Sequence, residues 1–208
     1  RVLDNRLGRA CERRAPELQA DRILRNAQLH TQHKLTYDLN TFPLHTALAQ
    51  LLRLPKLDEL HYELDNFDTS PEAHARVVAA KKTLLAPLTD AEAAAPLNAL
   101  YEELTRTVVV PHIMEQLEAA DQQHRCVERV LFAATPTIRV QHPSALPTIR
   151  PHCDAQYSVP EGALNLWLPL TRANAAAASL WAESEAGSGD FAPLCAELGA
   201  IVRFGGRR

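Results

Sequence analysis

His152 and Asp154 stand two residues apart in the stretch Pro151-His152-Cys153-Asp154-Ala155-Gln156-Tyr157. A β-strand repeats its side-chain direction every second residue. In an extended segment the imidazole and the carboxylate therefore face one point, and Cys153 faces away. One neutral nitrogen donor and one carboxylate make two thirds of a 2-His-1-carboxylate facial set, which holds non-haem Fe(II) and leaves coordination positions open. The plain alternative is a surface His and Asp near a turn, because His-x-Asp is a common tripeptide. The surrounding sequence has to decide between them.

The elements that would position this pair follow a change of texture near Ala134. Before it the pattern is helical. Glu17 to Leu29 reads as a short amphipathic helix. Pro43 opens a helix carrying Leu44, Leu48, Leu51 and Leu52 and ending at Pro55, and 57–64 continues as a short helix. Ser70-Pro71-Glu72 is a strong helix start, with Ser at the N-cap, Pro in the first turn and an acid beside the positive end of the helix dipole. That helix closes before Pro87. Pro96 opens another with Leu97, Leu100, Tyr101 and Leu104. Val108-Val109-Val110-Pro111 breaks the pattern, and from His112 a new stripe of Ile113, Leu117, Ala120, His124, Val127 and Leu131 begins. His124 on that stripe is read as a packed histidine.

After Ala134 come short runs of apolar and β-branched residues between Pro, Gly, Asn and Ser. Strands are expected at Thr137–Gln141, Leu164–Leu170, Ser179–Glu183 and Ala200–Phe204, with a tight loop at Gly187-Ser188-Gly189-Asp190-Phe191. Arg139 and Gln141 share one strand face, as do Asn165 and Trp167. Trp167 and Trp181 read as core.

The 208 residues suffice for one good domain or two small ones. Hydrophobic residues make up 46% and charged residues 23%, so a packed core is expected. The net charge of −3 with scattered Lys and Arg gives nucleic acid no basic face to bind. No apolar run is long enough to span a membrane, and Arg1-Val2-Leu3-Asp4 lacks the apolar core of a signal peptide. A cytoplasmic protein is expected. The start at Arg1 suggests a processed, trimmed or incomplete chain. Cysteines 11, 126, 153 and 195 form no Cys-x-x-Cys and read as free thiols.

The ordered C-terminal set carries a resemblance. It runs Pro136-Thr137-Ile138-Arg139-Val140-Gln141, His152-Cys153-Asp154-Ala155-Gln156-Tyr157, Leu164-Asn165-Leu166-Trp167-Leu168-Pro169-Leu170-Thr171, Ser179-Leu180-Trp181-Ala182-Glu183-Ser184, Gly189-Asp190-Phe191-Ala192-Pro193-Leu194 and Arg203-Phe204-Gly205-Gly206. Over about residues 135 to 206 this resembles the Fe(II)- and 2-oxoglutarate-dependent oxygenases, in particular the streptomycin-biosynthesis-type hydroxylases, akin to phytanoyl-CoA hydroxylases. The resemblance implies an α+β fold. A mainly helical region, 1–134, would pack on a partial double-stranded β-helix, the cupin-like jelly roll, at 135–208. It implies Fe(II) at His152 and Asp154, 2-oxoglutarate as cosubstrate, and hydroxylation of a small molecule with release of succinate and CO₂. Arg139, Gln141, Asn165, Tyr157 and Trp167 are then candidates for contacts to the 2-oxo acid or substrate, and Ser179 and Glu183 can face the same site.

The family has a distal His after its Phe-Gly-Gly-like segment, followed by a basic residue for the far carboxylate of 2-oxoglutarate. Here no histidine follows His152, and the sequence ends Gly205-Gly206-Arg207-Arg208. The resemblance thus implies two ligands of three, an unpaired sheet edge, weak Fe(II) binding and little turnover for the chain as written. The alternative is a jelly-roll binding module without catalysis. No G-x-S-x-G, H-E-x-x-H or P-loop supports a hydrolase or nucleotide enzyme.

Overall fold

The strand Ala200–Gly205 (β5) lies at the centre of a three-stranded antiparallel sheet. A computed structural model describes residues 27–60, 70–120, 130–141, 152, 154, 163–172, 179–184 and 187–205. In it β5 pairs on one side with His33–Thr36 (β1), with His33 opposite Arg203 and Leu35 opposite Ile201. On the other side it pairs with Leu164–Trp167 (β2), with Leu164 opposite Gly205, Asn165 opposite Phe204 and Trp167 opposite Val202. The edges of this sheet are β1 and β2, while the last strand in sequence is paired on both sides. A second antiparallel pair joins Trp181–Ala182 (β3) to Ala192–Pro193 (β4). The described residues form these two small sheets and no closed barrel.

Alternation along β5 divides the molecule into layers. Ile201, with Leu35 and Leu164, faces the larger core, which Leu29, Leu44, Leu48, Leu97, Leu104, Ile113 and Leu117 fill from the helical side. Ala200, Val202 and Phe204 face the other way and meet Ala182, Leu194, Ala196 and Trp167. All of β5 but Gly205 is buried, as a strand covered on both faces must be.

The helical layer follows the sequence with two departures. Leu44–Leu51 (α1) buries Leu44 and Leu48 and stops where Arg53 turns to φ 56°. Of the expected helix at 57–64, Leu57–Glu59 forms a 3-10 turn and Leu60 is helical, while 61–64 lie outside the described residues. Pro71–Leu84 (α2) begins as expected, with Ser70 Oγ accepting from the Ala73 N–H at 3.1 Å. Ala95–Leu104 (α3) opens at Pro96 and buries Leu97 and Leu104.

The break expected at Val108–Pro111 is absent. Thr105–Val109 forms a π-helical turn that runs straight into Val110–Ala120 (α4). The Val110 N–H donates to Thr105 O, five residues back, and the Thr105 and Thr107 hydroxyls donate to carbonyls four residues back. The widened turn accommodates the Pro111 ring that would clash in a regular helix. The stripe expected from His112 holds to Leu117, whereas Leu131 is exposed and outside any helix. Most of the expected helix at Glu17–Leu29, along with His124, lies outside the described residues.

Candidate functional site

Asn165 is the residue through which the sheet reaches the His-x-Asp pair. Lying opposite Phe204, it shares the face of β2 that carries Trp167 and looks toward β3 and β4. Its Nδ2 donates to Asp154 Oδ2 at 2.6 Å. The other carboxylate oxygen, Oδ1, is 3.9 Å from His152 Nε2, and both side chains are 25% exposed. That separation is too long for a hydrogen bond between them. Imidazole and carboxylate are thus brought together, but not by the i, i+2 geometry of a strand. Asp154 sits in a 3-10 turn and His152 in irregular backbone.

The described donor pair suits a metal in chemistry. A neutral imidazole and a carboxylate are two members of the facial set for Fe(II). Ligating carboxylates are commonly hydrogen-bonded through their second oxygen, the part Asn165 plays toward Oδ2. Among the described residues no group of three or more His, Cys, Asp or Glu is gathered to hold a metal ion.

The remaining candidates are dispersed. Trp167 is half-buried against the Val202 and Phe204 face. Arg139 and Gln141 are exposed, on a segment that keeps its in-out alternation without forming a strand. That segment docks on the helices instead. Lys81 Nζ donates to Val140 O at 2.6 Å, and the Tyr101 hydroxyl donates to Ala133 O at 3.2 Å. Tyr157 lies outside the described residues. Glu183 organises the loop beside it by accepting from the Gly187 and Gly189 N–H groups at 2.7 and 2.8 Å. Trp181, expected in the core, is 49% exposed, because only the Ala182 side of β3 packs inward. A cavity of about 220 Å³ between His45, Lys56, Asp58, Leu170 and Leu198 borders none of the described candidates. Cys195 is a free, exposed thiol.

One buried polar cluster has no counterpart among the expected site residues. Arg203 on β5 is 2% exposed. Its Nη1 is 2.9 Å from His112 Nε2, and its Nη2 donates to Gln28 O and Thr31 O at 3.1 and 3.4 Å. His33 stacks on His112 with ring centroids 4.8 Å apart. Burial, then Arg203, then His33 hold His112 below the usual imidazole range, against a smaller opposing pull from Glu115. The available signal was an arginine inside the apolar run Ala200-Ile201-Val202-Arg203-Phe204.

No protein-family model, curated protein or solved structure matches the chain. Among the described residues no helix is long and apolar enough to cross a membrane.

Proposed function

We propose that the chain is an Fe(II)- and 2-oxoglutarate-dependent oxygenase domain of jelly-roll type, acting on a small molecule, with His152 and Asp154 as two protein ligands of the iron. The observation that carries this reading is the Asn165–Asp154 hydrogen bond at 2.6 Å, which turns the other carboxylate oxygen toward His152. Support also comes from its place on the β2 face that looks toward the second sheet, where a jelly roll keeps its site. Bound iron would supply the oxidising chemistry by activating O₂ together with the 2-oxo acid. The chain's own residues do the rest. His152 offers a neutral nitrogen, Asp154 a negative oxygen, and Asn165 fixes the carboxylate so that Oδ1 is presented without a search over rotamers. The half-buried setting lowers the local dielectric and strengthens the carboxylate's hold on a cation.

Anaerobic titration with Fe(II) and 2-oxoglutarate tests the proposal. A visible charge-transfer band that Asp154→Ala removes is the expected result. A chain that binds 2-oxoglutarate without the band points to the binding-module reading, and a band unchanged in Asp154→Ala would remove Asp154 as an iron ligand.

A further inference from the structure

The cluster around Arg203 joins three elements through one bond that depends on a proton. A guanidinium keeps its protons, so His112 Nε2 meets Arg203 Nη1 at 2.9 Å as a lone-pair acceptor. His112 is then neutral and carries its proton on Nδ1. No carboxylate pairs with Arg203 among the described residues, and its Nε is buried without a partner. The same guanidinium holds the turn leading into β1, through the carbonyls of Gln28 and Thr31. His33, the cross-strand neighbour of Arg203, lies flat on His112 with 18° between the rings.

The apolar anchors of that turn and strand are Leu29, buried in the larger core, and Leu35, packed against it. Gln28 has φ 52°, a left-handed conformation that a residue with a Cβ resists. Its carbonyl is also held by the Thr31 N–H at 3.1 Å and the Thr31 hydroxyl at 2.6 Å. β1 is a four-residue edge strand, exposed at all positions except Leu35. Beyond its ladder to β5, the Gly205 N–H donates to His30 O at 3.3 Å.

We propose that residues 28–36 form an acid-released latch, in which neutral His112 holds Arg203 in place and protonated His112 frees the turn and β1 from β5. Protonation removes the acceptor for Arg203 Nη1 and sets two cations against each other in a buried setting. Among the described residues the ionisable groups facing His112 are Arg203 from β5, His33 from β1 and Glu115 on its own helix. The first two oppose the imidazolium and Glu115 favours it. The latch stands on these contacts alone and is independent of any iron at His152 and Asp154.

Amide exchange on the whole chain, corrected for intrinsic rates, tests it between about pH 7.5 and about pH 5. The opening equilibrium of residues 33–37 should rise by up to about tenfold per pH unit below about 6.5, the slope of one proton, while α1 and α3 stay protected. His112→Gln keeps an acceptor and cannot be protonated, so it should flatten that slope. NMR titration of the wild-type His112 ring should give a midpoint below that of free histidine. A β1 opening equilibrium independent of pH, an unchanged slope in His112→Gln, or a midpoint at or above the free value would overturn the latch. Where the variant fails to fold, the wild-type pH profile of β1 exchange together with the ring titration decides the matter.

Discussion

The two oxygens of Asp154 have different neighbours, and the difference is the chemistry of the candidate site. Oδ2 accepts from Asn165 at 2.6 Å, and Oδ1 looks toward His152 at 3.9 Å. Losing the amide leaves the carboxylate able to rotate, so Asn165→Ala should weaken metal binding by about ten- to a hundredfold with the fold intact. Titration of Fe(II) or Mn(II) measures this, and unchanged affinity would show that the amide does not orient the carboxylate. Asn165 was legible from strand alternation, though as a contact to the 2-oxo acid and not as the orienting partner of Asp154. That role depends on a tertiary approach between residues 154 and 165, which the alternation of β2 does not encode. Arg203 was illegible as a site residue for the same reason. A charge in an apolar strand is visible, but its partners at positions 28, 31 and 112 are not.

Single residues settle where elements begin and turn. Ser70 caps α2, which is otherwise held inward mainly by Ala73 and Val77. Ser70→Ala should cost about 1 kcal/mol of helix stability. Because α2 buries so little, the loss should show first as faster amide exchange in its first turn, and equal exchange there would remove the cap from the account. Gly199 leads into β5 at φ 89°, its carbonyl accepts from the Tyr37 N–H at 2.8 Å, and an added Cβ would meet Leu39 and Tyr37 O at 3.4 Å. Gly199→Ala should destabilise the chain by about 1–2 kcal/mol in denaturant unfolding. Elements with local signals, α2 and the Gly187–Gly189 loop, were plain in the sequence. β1 was not, since His33-Lys34-Leu35-Thr36 has one apolar residue and owes its form to pairing with β5 far along the chain. The Val108–Pro111 segment misled for the opposite reason: a local breaker was absorbed by a π turn.

At the scale of the whole molecule β5 is the shared part. One face closes the helical core, the other closes the smaller core under β3 and β4, and its edges hold β1 and the strand that carries Asn165. The latch and the candidate site are thus adjacent along a single strand, through Arg203 and through Phe204 opposite Asn165. Stability should follow pH with the sign set by His112. Its folded value lies below its unfolded one, so the unfolded chain takes up the proton first. The contribution is complete above about pH 6.5 and is lost as pH falls toward the folded value. Thermal unfolding midpoints should drop over that window in the wild type and less in His112→Gln. Equal drops would assign the acid sensitivity to other groups.

The proposed iron site places a metal between His152 and Asp154. Mn(II), a redox-inert stand-in for Fe(II), broadens NMR signals of nuclei close to it. Substoichiometric Mn(II) should first erase the resonances of His152, Asp154 and the Asn165 side-chain amide, and Asp154→Ala should abolish that selectivity. Broadening centred elsewhere, or persisting at His152 and Asn165 in Asp154→Ala, would contradict the claim.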